Sequence, residues 1–178
     1  MVTAERIRAT PIADAEPALL DPTVFRHTVG HFASGVTIVT TTWEGRRYGT
    51  TASSVTSLSM DPPMMLACLN RSSRTHDAVV AAGRFAVNVL RVDQDRLARA
   101  FAGKDADKFA GVPHELSAHG LPVLTEALAT IECRVEDTAV GGTHTVFLGR
   151  VVDASARDGE PLAYYRGGFG RLLMAQPG

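Results

Sequence analysis

Residues 49–70 read GTTASSVTSLSMDPPMMLACLN, and their pattern indicates the fold class of the chain. The first part of this stretch is rich in Thr, Ser and Val, which favour extended strands. Pro62 and Pro63 separate that part from MMLACLN (64–70), a short apolar run typical of a buried strand. The stretch therefore predicts strands that follow one another without an intervening helix, which is typical of antiparallel sheets rather than of βαβ units.

The segment upstream predicts a hairpin and a helix. GVTIVTTTW (35–43) is β-branched and aromatic, EGRR (44–47) is typical of a turn, and the run over 48–59 is predicted to pair back as the second strand. Asp21 before Pro22 indicates a helix start, and apolar residues at helical spacing extend that helix from about 22 to 33. Residues 1–20 lack periodicity and predict a flexible or partner-packed arm in front of a single domain, 21–178.

The downstream segment alternates strands with occasional helices. The predicted elements are a helix over 72–82 ended by Gly83, a strand over 84–90, a helix over 94–102, a loop, long strands over 129–140 and 144–155, and a last strand over 161–166. The predicted fold class is therefore mainly β with inserted helices. An antiparallel barrel is the expected closure, because it removes exposed strand edges.

Composition restricts the function classes. The 178 residues carry 18 basic and 19 acidic side chains, a formal net charge of −1, which predicts no nucleic-acid binding. The longest apolar run, Met64–Leu69, is far shorter than the ~18 residues of a membrane span, so no membrane contact is predicted. The N-terminus lacks the apolar block of a signal peptide, and Cys68 and Cys133 lie in apolar surroundings typical of buried free thiols. These features predict a cytoplasmic protein.

Common catalytic signatures are missing from the sequence. No GxGxxG follows a strand, and neither GxxxxGK[ST] nor GxSxG occurs. His27 and His31 are four apart on the predicted helix, a spacing that lets two imidazoles reach one metal ion. Thr28 stands where a metalloprotease motif has Glu, however, and no third ligand is indicated. We therefore predict no metal site and assign both histidines to a helix face or an interface.

Hydroxyl side chains are concentrated in residues 49–70. Small hydroxyls give up packing area that Val, Ile or Leu would supply. Thr51, Ser53, Ser54 and Thr56 therefore indicate either a surface that hydrogen-bonds a polar ligand or an ordinary solvent face. The pattern fits both interpretations equally well.

Ser72, Ser73, Arg74 and Thr75 open the predicted helix over 72–82. Free backbone N–H groups and the positive end of the helix dipole favour an anion there, with hydroxyls and a guanidinium as further donors. The turn is thus a candidate phosphate site. An N-cap supplied by Ser72 or Ser73 explains the same residues without a ligand, and both interpretations stay open at this level.

Taken together, these segments resemble the flavin reductase domain family, the small NAD(P)H:flavin oxidoreductases of two-component flavin-dependent monooxygenases. The resemblance runs from about Phe25 to Leu172. It rests on the order and spacing of ASGVTIVTT, the 49–70 stretch, SSRTH (72–76), FAVNVL, HTVFLGRV and PLAYYRGGF. It implies a split antiparallel β-barrel of the FMN-binding type with Greek-key connections, usually a homodimer with flavin sites near the subunit interface.

The resemblance also implies which residues bind the flavin. Along the isoalloxazine ring and the ribityl chain these are Thr51, Ala52, Ser53, Ser54 and Thr56, with Cys68, Leu69 and Asn70 beside them. At the phosphate they are Ser72, Ser73, Arg74 and Thr75.

Further positions match the later part of the family pattern. Tyr165 and Arg166 match a late Tyr-Arg pair, and Phe109 belongs to a loop that resembles a lid. His144 matches a histidine near the nicotinamide side of the flavin, which makes it the residue implied to be catalytic. Thr143 stands where relatives often have Asp, so a carboxylate that would orient this histidine is missing.

By this resemblance the chain transfers a hydride from NADH, with NADPH as an alternative donor, to FAD or FMN. Free reduced flavin then diffuses to a partner monooxygenase. Hydride transfer is the cofactors' own chemistry, so the protein has to stack two rings and needs no catalytic acid or base. Two alternatives stay open. A split-barrel flavoprotein that retains FMN and acts on another substrate would purify yellow, and a non-catalytic flavin-binding module would not let NADH or NADPH reduce added flavin.

Overall fold

The computed structural model describes residues 20–105 and 107–173, so the predicted arm over 1–20 lies almost wholly outside the described residues. Within them the helices are α1 (Pro22–Val29), α2 (Arg74–Ala82) and α3 (Asp95–Ala102). The described strands are β1 (Ser34–Gly35), β2 (Thr37–Trp43), β3 (Arg46–Ala52), β4 (Val55–Met60), β5 (Pro63–Asn70), β6 (Arg84–Val89), β7 (His114–Leu116), β8 (Pro122–Leu124), β9 (Ala129–Gly141), β10 (His144–Ala156), β11 (Leu162–Tyr165) and β12 (Gly168–Arg171). The prediction of a mainly β fold with inserted helices is confirmed.

Seven strands form one antiparallel sheet in the order β3-β2-β6-β9-β10-β5-β4. The two edge strands, β3 and β4, follow each other in the chain and are joined by Ser53 and Ser54, so the two edges of the sheet are brought together there. The Cys68 N–H of β5 donates to the Ser54 carbonyl oxygen (2.9 Å), which holds this junction against the neighbouring strand. The sheet thus curls into an antiparallel barrel.

The hairpin that precedes this junction is confirmed, whereas the single strand predicted over 48–59 is wrong. β2 pairs with β3 from Thr37↔Ala52 to Trp43↔Arg46 around a two-residue turn at Glu44 and Gly45, whose φ angles are +49° and +71°. The predicted long strand breaks at 53–54 because β3 pairs with β2 while β4 pairs with β5. The chain has to cross from one sheet edge to the other at this point.

Two hydrophobic cores lie on opposite faces of the sheet. Ile38 and Val39, neighbours on β2, belong to different cores, as the two-residue period of a strand requires. One core holds α3 through Phe101, and the other holds α2 through Val79, packed with Phe147. The middle of β2 is therefore buried on both faces.

Two strand glycines permit close packing. A Cβ atom at Gly49 would lie 2.5 Å from the Phe101 ring, and one at Gly149 would lie 2.8 Å from both Cys133 Cβ and the Phe85 ring. A side chain at either position would have to displace a core aromatic ring. Gly49 thus allows α3 to pack directly on β3 at the start of residues 49–70.

α1 begins as predicted but is shorter. The Asp21 carboxylate accepts from the backbone N–H groups of Thr23 (2.6 Å) and Val24 (3.3 Å), which caps the helix. The helix ends at Val29 rather than near residue 33, because the Gly30 C-cap ends it and the chain turns into β1. No residue of α1 is buried. Over 20–105 and 107–173 there is no helix of the length and apolarity that a bilayer crossing needs.

The remaining differences from the prediction are local. β7 and β8 form a hairpin within a segment predicted as a loop, and β12 extends the small sheet of β1 and β11. Strands of three or four residues are too short to show a periodic pattern. α2 begins at Arg74 instead of Ser72, because Ser73 is its N-cap.

Candidate functional site

The predicted phosphate turn lies where β5 ends and α2 begins. Ser73 Oγ accepts from the backbone N–H of Thr75 (3.2 Å), so the N-cap interpretation is confirmed. The backbone N–H groups of Arg74 and His76 have no hydrogen-bond acceptor within the described part of the chain, as is usual in the first turn of a helix. These groups and the positive end of the helix dipole favour an anion at this point.

Asn70, the last residue of β5, shapes the same turn. Its Oδ1 accepts from the Ser72 backbone N–H (2.9 Å) and from the Ser72 hydroxyl (2.8 Å). Its carbonyl oxygen accepts from the Ser73 N–H (2.9 Å). Three hydrogen bonds accepted by Asn70 thus hold the backbone between the strand and the helix, which keeps the free N–H groups of α2 in a defined position.

The start of β10 lies beside this turn. His144 is the register partner of Asn70, and the Arg71 N–H donates to the Thr143 carbonyl oxygen (3.0 Å). The Thr143 hydroxyl oxygen lies 2.9 Å from His144 Nδ1. The Thr143 hydroxyl therefore lies beside the imidazole, although the sequence has no carboxylate at this position. The structure brings the predicted histidine and the predicted phosphate turn together, although they are far apart in the sequence.

Three hydroxyl residues of 49–70 lie beside the strand pair β4–β5. Ser53, Ser54 and Thr56 are exposed at and just after the junction of β3 and β4. β4 pairs with β5, with Thr56 opposite Leu66, and the main chain of Cys68 is bonded to that of Ser54. These hydroxyls therefore lie along the strand that ends in the phosphate turn.

Other predicted binding residues have their side chains in the protein interior. The Thr51 hydroxyl donates to a main-chain oxygen of α3 (2.6 Å), and Ala52 and Leu69 are members of one core. Phe109 is only 5% exposed and packs edge-on against another core ring at 5.1 Å. Ala52 and Leu69 can therefore meet a ligand only through main-chain atoms, and Phe109 serves as a core residue in this structure. Thr75 is buried as well.

Tyr165 and Arg166 lie at a different place, at the end of β11 against the end of α1. The Arg166 N–H donates to the Gly30 carbonyl oxygen (2.9 Å), and the Tyr165 ring meets the His31 ring edge-on at 6.0 Å. Both residues are exposed, and no hydrogen bond links them to the phosphate turn in the described chain. His31 Nδ1 in turn bonds the carbonyl oxygen of His27 (2.9 Å), which places both histidines on the surface of α1.

Two cations flank the phosphate turn. The Arg74 guanidinium donates to the Asp105 carbonyl oxygen (3.1 Å), and the Lys108 ammonium donates to the main-chain oxygens of Phe101 (2.7 Å) and Gly49 (3.3 Å). Burial and the nearby charge of Arg74 lower the pKa of Lys108. The charge of Asp105 acts on Lys108 in the opposite direction, and Arg74 and Lys108 are the two positive charges that favour an anion at the turn.

The two cysteines are free thiols and neither is activated as a nucleophile. Burial raises the pKa of the Cys68 thiol, and burial together with the charge of Glu132 raises that of Cys133 to about 12. Both groups are therefore protonated at neutral pH, whereas the thiolate is the reactive form. Cys68 contributes a small apolar surface beside the exposed hydroxyls.

Sequence reasoning missed two residues that contact this region. It ended the phosphate turn at Thr75 and gave no role to His76, whose Nε2 lies 2.9 Å from the Thr145 hydroxyl oxygen. The available signal was the SSRTH segment itself, in which the histidine follows Thr75 on the buried side of α2. Lys108 directly precedes Phe109 in the loop that resembles a lid. Its bonds to one helix, α3 at Phe101, and to one strand, β3 at Gly49, could not be inferred from its neighbours in the chain.

Two cavities lie away from these residues. Their volumes are about 510 and 720 Å³, they flank the 117–121 turn, and their linings, as described, contain no predicted site residue. The exposed hydroxyl residues Ser53, Ser54 and Thr56 instead share an open surface with the phosphate turn and His144, which runs from the β3–β4 junction along β5 to the α2 N-terminus. This surface offers an anion site next to a row of hydroxyls, and it offers no paired carboxylates or activated nucleophile.

Comparison with known proteins gives this surface a context. Residues 29–173 match the family model described as the flavin reductase like domain. The chain is 53% identical over 154 residues to the reductase component of the 4-nitrophenol 4-monooxygenase/4-nitrocatechol 2-monooxygenase of Rhodococcus opacus, covering 86% of this chain and 83% of the relative. It is 40% identical over 148 residues to the FMN reductase (NADH) SmoA of Agrobacterium fabrum, covering 83% and 84%.

A similar solved structure is that of the NADH:FAD oxidoreductase SgcE6 of Streptomyces globisporus C-1027 in complex with NAD and FAD fragments. The TM-score is 0.84 at 34% sequence identity, over 90% of this chain and 99% of that chain. The likeness confirms the predicted split-barrel fold class.

Proposed function

The chain belongs to the flavin reductase like domain family, and from this premise we propose that the surface around the α2 N-terminus holds the flavin during its reduction. The activity is the transfer of a hydride from NADH to FMN or FAD. The observation that carries the placement is the meeting of Asn70, Ser73, Arg74 and His144 at one point of the surface.

The residues present fit the phosphate of a flavin nucleotide. The backbone N–H groups of Arg74 and His76 are free to donate, the Arg74 guanidinium adds charge, and the helix dipole has the right sign. Asp77, the acidic residue in the first turn of α2, is bonded to the His76 ring. FMN and FAD share this phosphate, so we propose that the turn accepts both.

The protein's own part in the reaction is to bind and to orient. Ser53, Ser54 and Thr56 offer exposed hydroxyls to the polar edge of the ring system, and Cys68 lies beside them. When bound, the flavin supplies the electron chemistry and accepts the hydride. Holding the two reacting rings together removes much of the entropic barrier of a bimolecular step, so no acid, base or nucleophile of the protein is required.

We assign His144 the role of orienting the nicotinamide. Its Nδ1 is held by the Thr143 hydroxyl, and its main chain pairs with Asn70 at the edge of the phosphate turn. Replacing His144 with Ala should slow flavin reduction and leave the affinity for oxidised flavin unchanged. His119→Ala removes an exposed histidine from the 117–121 turn and is the matched control. A reduction rate equal to that of the wild type would remove His144 from the site.

The test of the activity is NADH oxidation by the purified protein, followed by the loss of NADH absorbance. The reaction is run without flavin, with FMN and with FAD, and NADPH serves as a second donor. We expect turnover that rises and saturates with added flavin. NADH oxidation that is independent of added flavin would indicate a retained FMN instead, and no flavin reduction with either donor would contradict the proposed function.

We propose further that the chain works as a homodimer in which α1 contributes to the subunit contact. α1 and the turn after it expose Val24, Phe25, Val29 and Phe32, of which Phe32 is 80% exposed. A patch of large apolar side chains on a helix without buried residues is typical of a protein interface. A second copy seated there would also cover Tyr165, whose ring already contacts the end of this segment.

Reduced flavin, we propose, leaves the protein and diffuses to a partner monooxygenase in the cytoplasm. The Rhodococcus relative is named as a monooxygenase reductase component, the site is an open surface, and the two free cysteines suit a reducing compartment. The test places the reductase, NADH and FMN under nitrogen on one side of a dialysis membrane and cytochrome c on the other. Cytochrome c reduction above that of a chamber without reductase is expected. Cytochrome c reduction that is equal with and without reductase would contradict free diffusion.

A further inference from the structure

A chain of three hydrogen-bonded side chains lies next to the proposed flavin surface. The His76 ring is buried, at 9% exposure. Its Nε2 lies 2.9 Å from the Thr145 hydroxyl oxygen, and its Nδ1 lies 2.9 Å from a carboxylate oxygen of Asp77. The ring also packs edge-on against Phe147, with 5.6 Å between the ring centroids. The imidazole therefore cannot turn without breaking two hydrogen bonds and one packing contact.

The chemistry of the partners assigns the donors. A carboxylate only accepts, so the Nδ1 of His76 carries the proton that is shared with Asp77. In the neutral ring Nε2 then has no proton, and the Thr145 hydroxyl donates to it. Every polar atom of the buried ring is satisfied by a partner that suits it.

This chain of bonds connects two parts of the proposed site. His76 and Asp77 belong to the first turn of α2, which also carries Arg74. Thr145 directly follows His144 on β10. Because successive side chains of a strand point to opposite faces, the buried Thr145 points inward and His144 points to the other face. The bond from His76 to Thr145 thus ties α2 to β10 one residue away from His144.

We propose that His76 is a positioning residue for hydride transfer, which through Thr145 sets the place of His144 relative to the α2 N-terminus. The inference rests on the proposed function and deepens it, since it names a residue that acts without touching either ring. The His76 side chain is buried, so its influence on His144 passes through Thr145 and β10. A displacement of about 1 Å in such an alignment can lower a rate by as much as ~100-fold.

The test uses Thr145→Val, which keeps the shape of the side chain and removes the hydroxyl, with Thr145→Ser as the variant that restores it. The measurement is the single-turnover rate of FMN reduction by saturating NADH under nitrogen. We expect Thr145→Val to be slower by about tenfold, with the Kd for oxidised FMN changed by less than about threefold. Thr145→Ser should return to within about twofold of the wild-type rate. A Thr145→Val protein as fast as the wild type would overturn the proposal.

A second pair of variants separates positioning from packing. The longer amide of His76→Gln reaches toward Thr145, and the shorter amide of His76→Asn reaches toward Asp77. We expect FMN reduction to be faster in His76→Gln than in His76→Asn. Equal reduction rates in the two variants, at whatever level, would contradict the proposal. The failure of the proposed function looks different, because a wild-type protein that reduces no flavin overturns that function before any variant is made.

Discussion

Two corners of the molecule differ in how many of their side chains have partners within the described part of one chain. The α2 corner, formed by Asn70, Ser73, Arg74 and His144, is held by hydrogen bonds between β5, α2 and β10. The α1 corner is formed by the apolar side chains of residues 24–32 together with Tyr165 and Arg166. The Arg166 N–H bond to the Gly30 carbonyl oxygen and the contact of the Tyr165 ring with His31 join its two parts, and the corner stays exposed.

We assign the two corners to two different contacts: the α2 corner to flavin binding and the α1 corner to the contact between subunits. The proposed phosphate site needs residues of one chain alone, because it is made of adjacent strand ends and a helix N-terminus. The α1 corner leaves its apolar side chains exposed among residues 20–105 and 107–173, which is why we propose a second copy there. Changes at the first corner should therefore alter flavin binding without altering assembly, and changes at the second should alter assembly first.

The largest effect is expected from a negative charge at the N-cap of α2. Ser73→Asp keeps a good capping side chain, so the helix should remain stable. Its carboxylate would repel a flavin phosphate by roughly 4 kcal/mol at a separation of about 4 Å and an effective dielectric constant of about 20. Allowing for screening, we expect the Kd for FMN to rise by about 100-fold. Flavin fluorescence titration measures this value.

Ser73→Asn is the matched control, since it caps the helix equally well and is neutral. Its Kd for FMN should stay within about tenfold of the wild-type value, because it loses at most one neutral hydrogen bond. If Ser73→Asp binds FMN as tightly as Ser73→Asn, the phosphate does not lie at the α2 N-terminus.

The next effect concerns the α1 corner. Phe32→Ser removes the most exposed ring of the apolar patch, which should cost on the order of 1 kcal/mol per copy and, by symmetry, twice that per dimer. The dimer Kd should therefore rise about 30-fold. Sedimentation equilibrium measures it, and Leu116→Ser, which removes an exposed apolar side chain from β7, is the control. Equal dimer Kd values in the two variants would remove α1 from the interface.

A smaller effect is expected from the residue that holds the histidine. Thr143→Ala removes the hydroxyl beside His144 Nδ1, at a cost of about 1 kcal/mol of orientation, so flavin reduction should slow by about fivefold. The affinity for oxidised FMN should not change. Stopped-flow reduction under nitrogen provides the rate, and a fivefold loss of FMN affinity with an unchanged rate would contradict the assigned role.

The smallest effect concerns thiol reactivity beside the proposed flavin surface. Because burial raises the pKa of Cys68, its thiolate fraction at pH 8 is lower than that of an unperturbed thiol and increases as the pH rises. A disulfide reagent should therefore label Cys68 slowly at pH 8 and faster at pH 9.5, and saturating FMN should slow labelling by about two- to threefold by covering the site. Cys133, with a pKa near 12, should react only on unfolding. Labelling of Cys68 that is indifferent to FMN would place the flavin elsewhere.

The sequence predicted the features that depend on neighbours in the chain. The Asp21 cap, the turn at Glu44 and Gly45 and the helix stop at Gly83 are short-range, and the structure confirms each. The break at 53–54 was missed because it depends on which strands pair. β3 and β4 have similar composition, and only their partners on opposite edges of the sheet separate them.

The same distinction applies to the site. Ser73 and Arg74 could be predicted because a helix N-cap has a local signature, and His144 was found through the family resemblance. His76 was missed because its partner Thr145 is 69 residues away, and no local pattern indicates a bond of that range. Phe109 looked like part of a lid by resemblance, but its ring fills the core against Phe101, a contact that only packing reveals.

We propose that Arg74 and the α2 N-terminus hold the flavin phosphate, and a comparison of FMN with riboflavin, which lacks that phosphate, tests this assignment. Kd values for both are measured by fluorescence titration on the wild type, on Arg74→Ala and on Arg84→Ala, which removes the same charge just beyond the other end of α2. We expect the wild type and Arg84→Ala to prefer FMN over riboflavin by about 10- to 100-fold. Arg74→Ala should lose most of this preference and bind riboflavin as before. An FMN preference in Arg74→Ala equal to that of the wild type would show that Arg74 does not hold the phosphate.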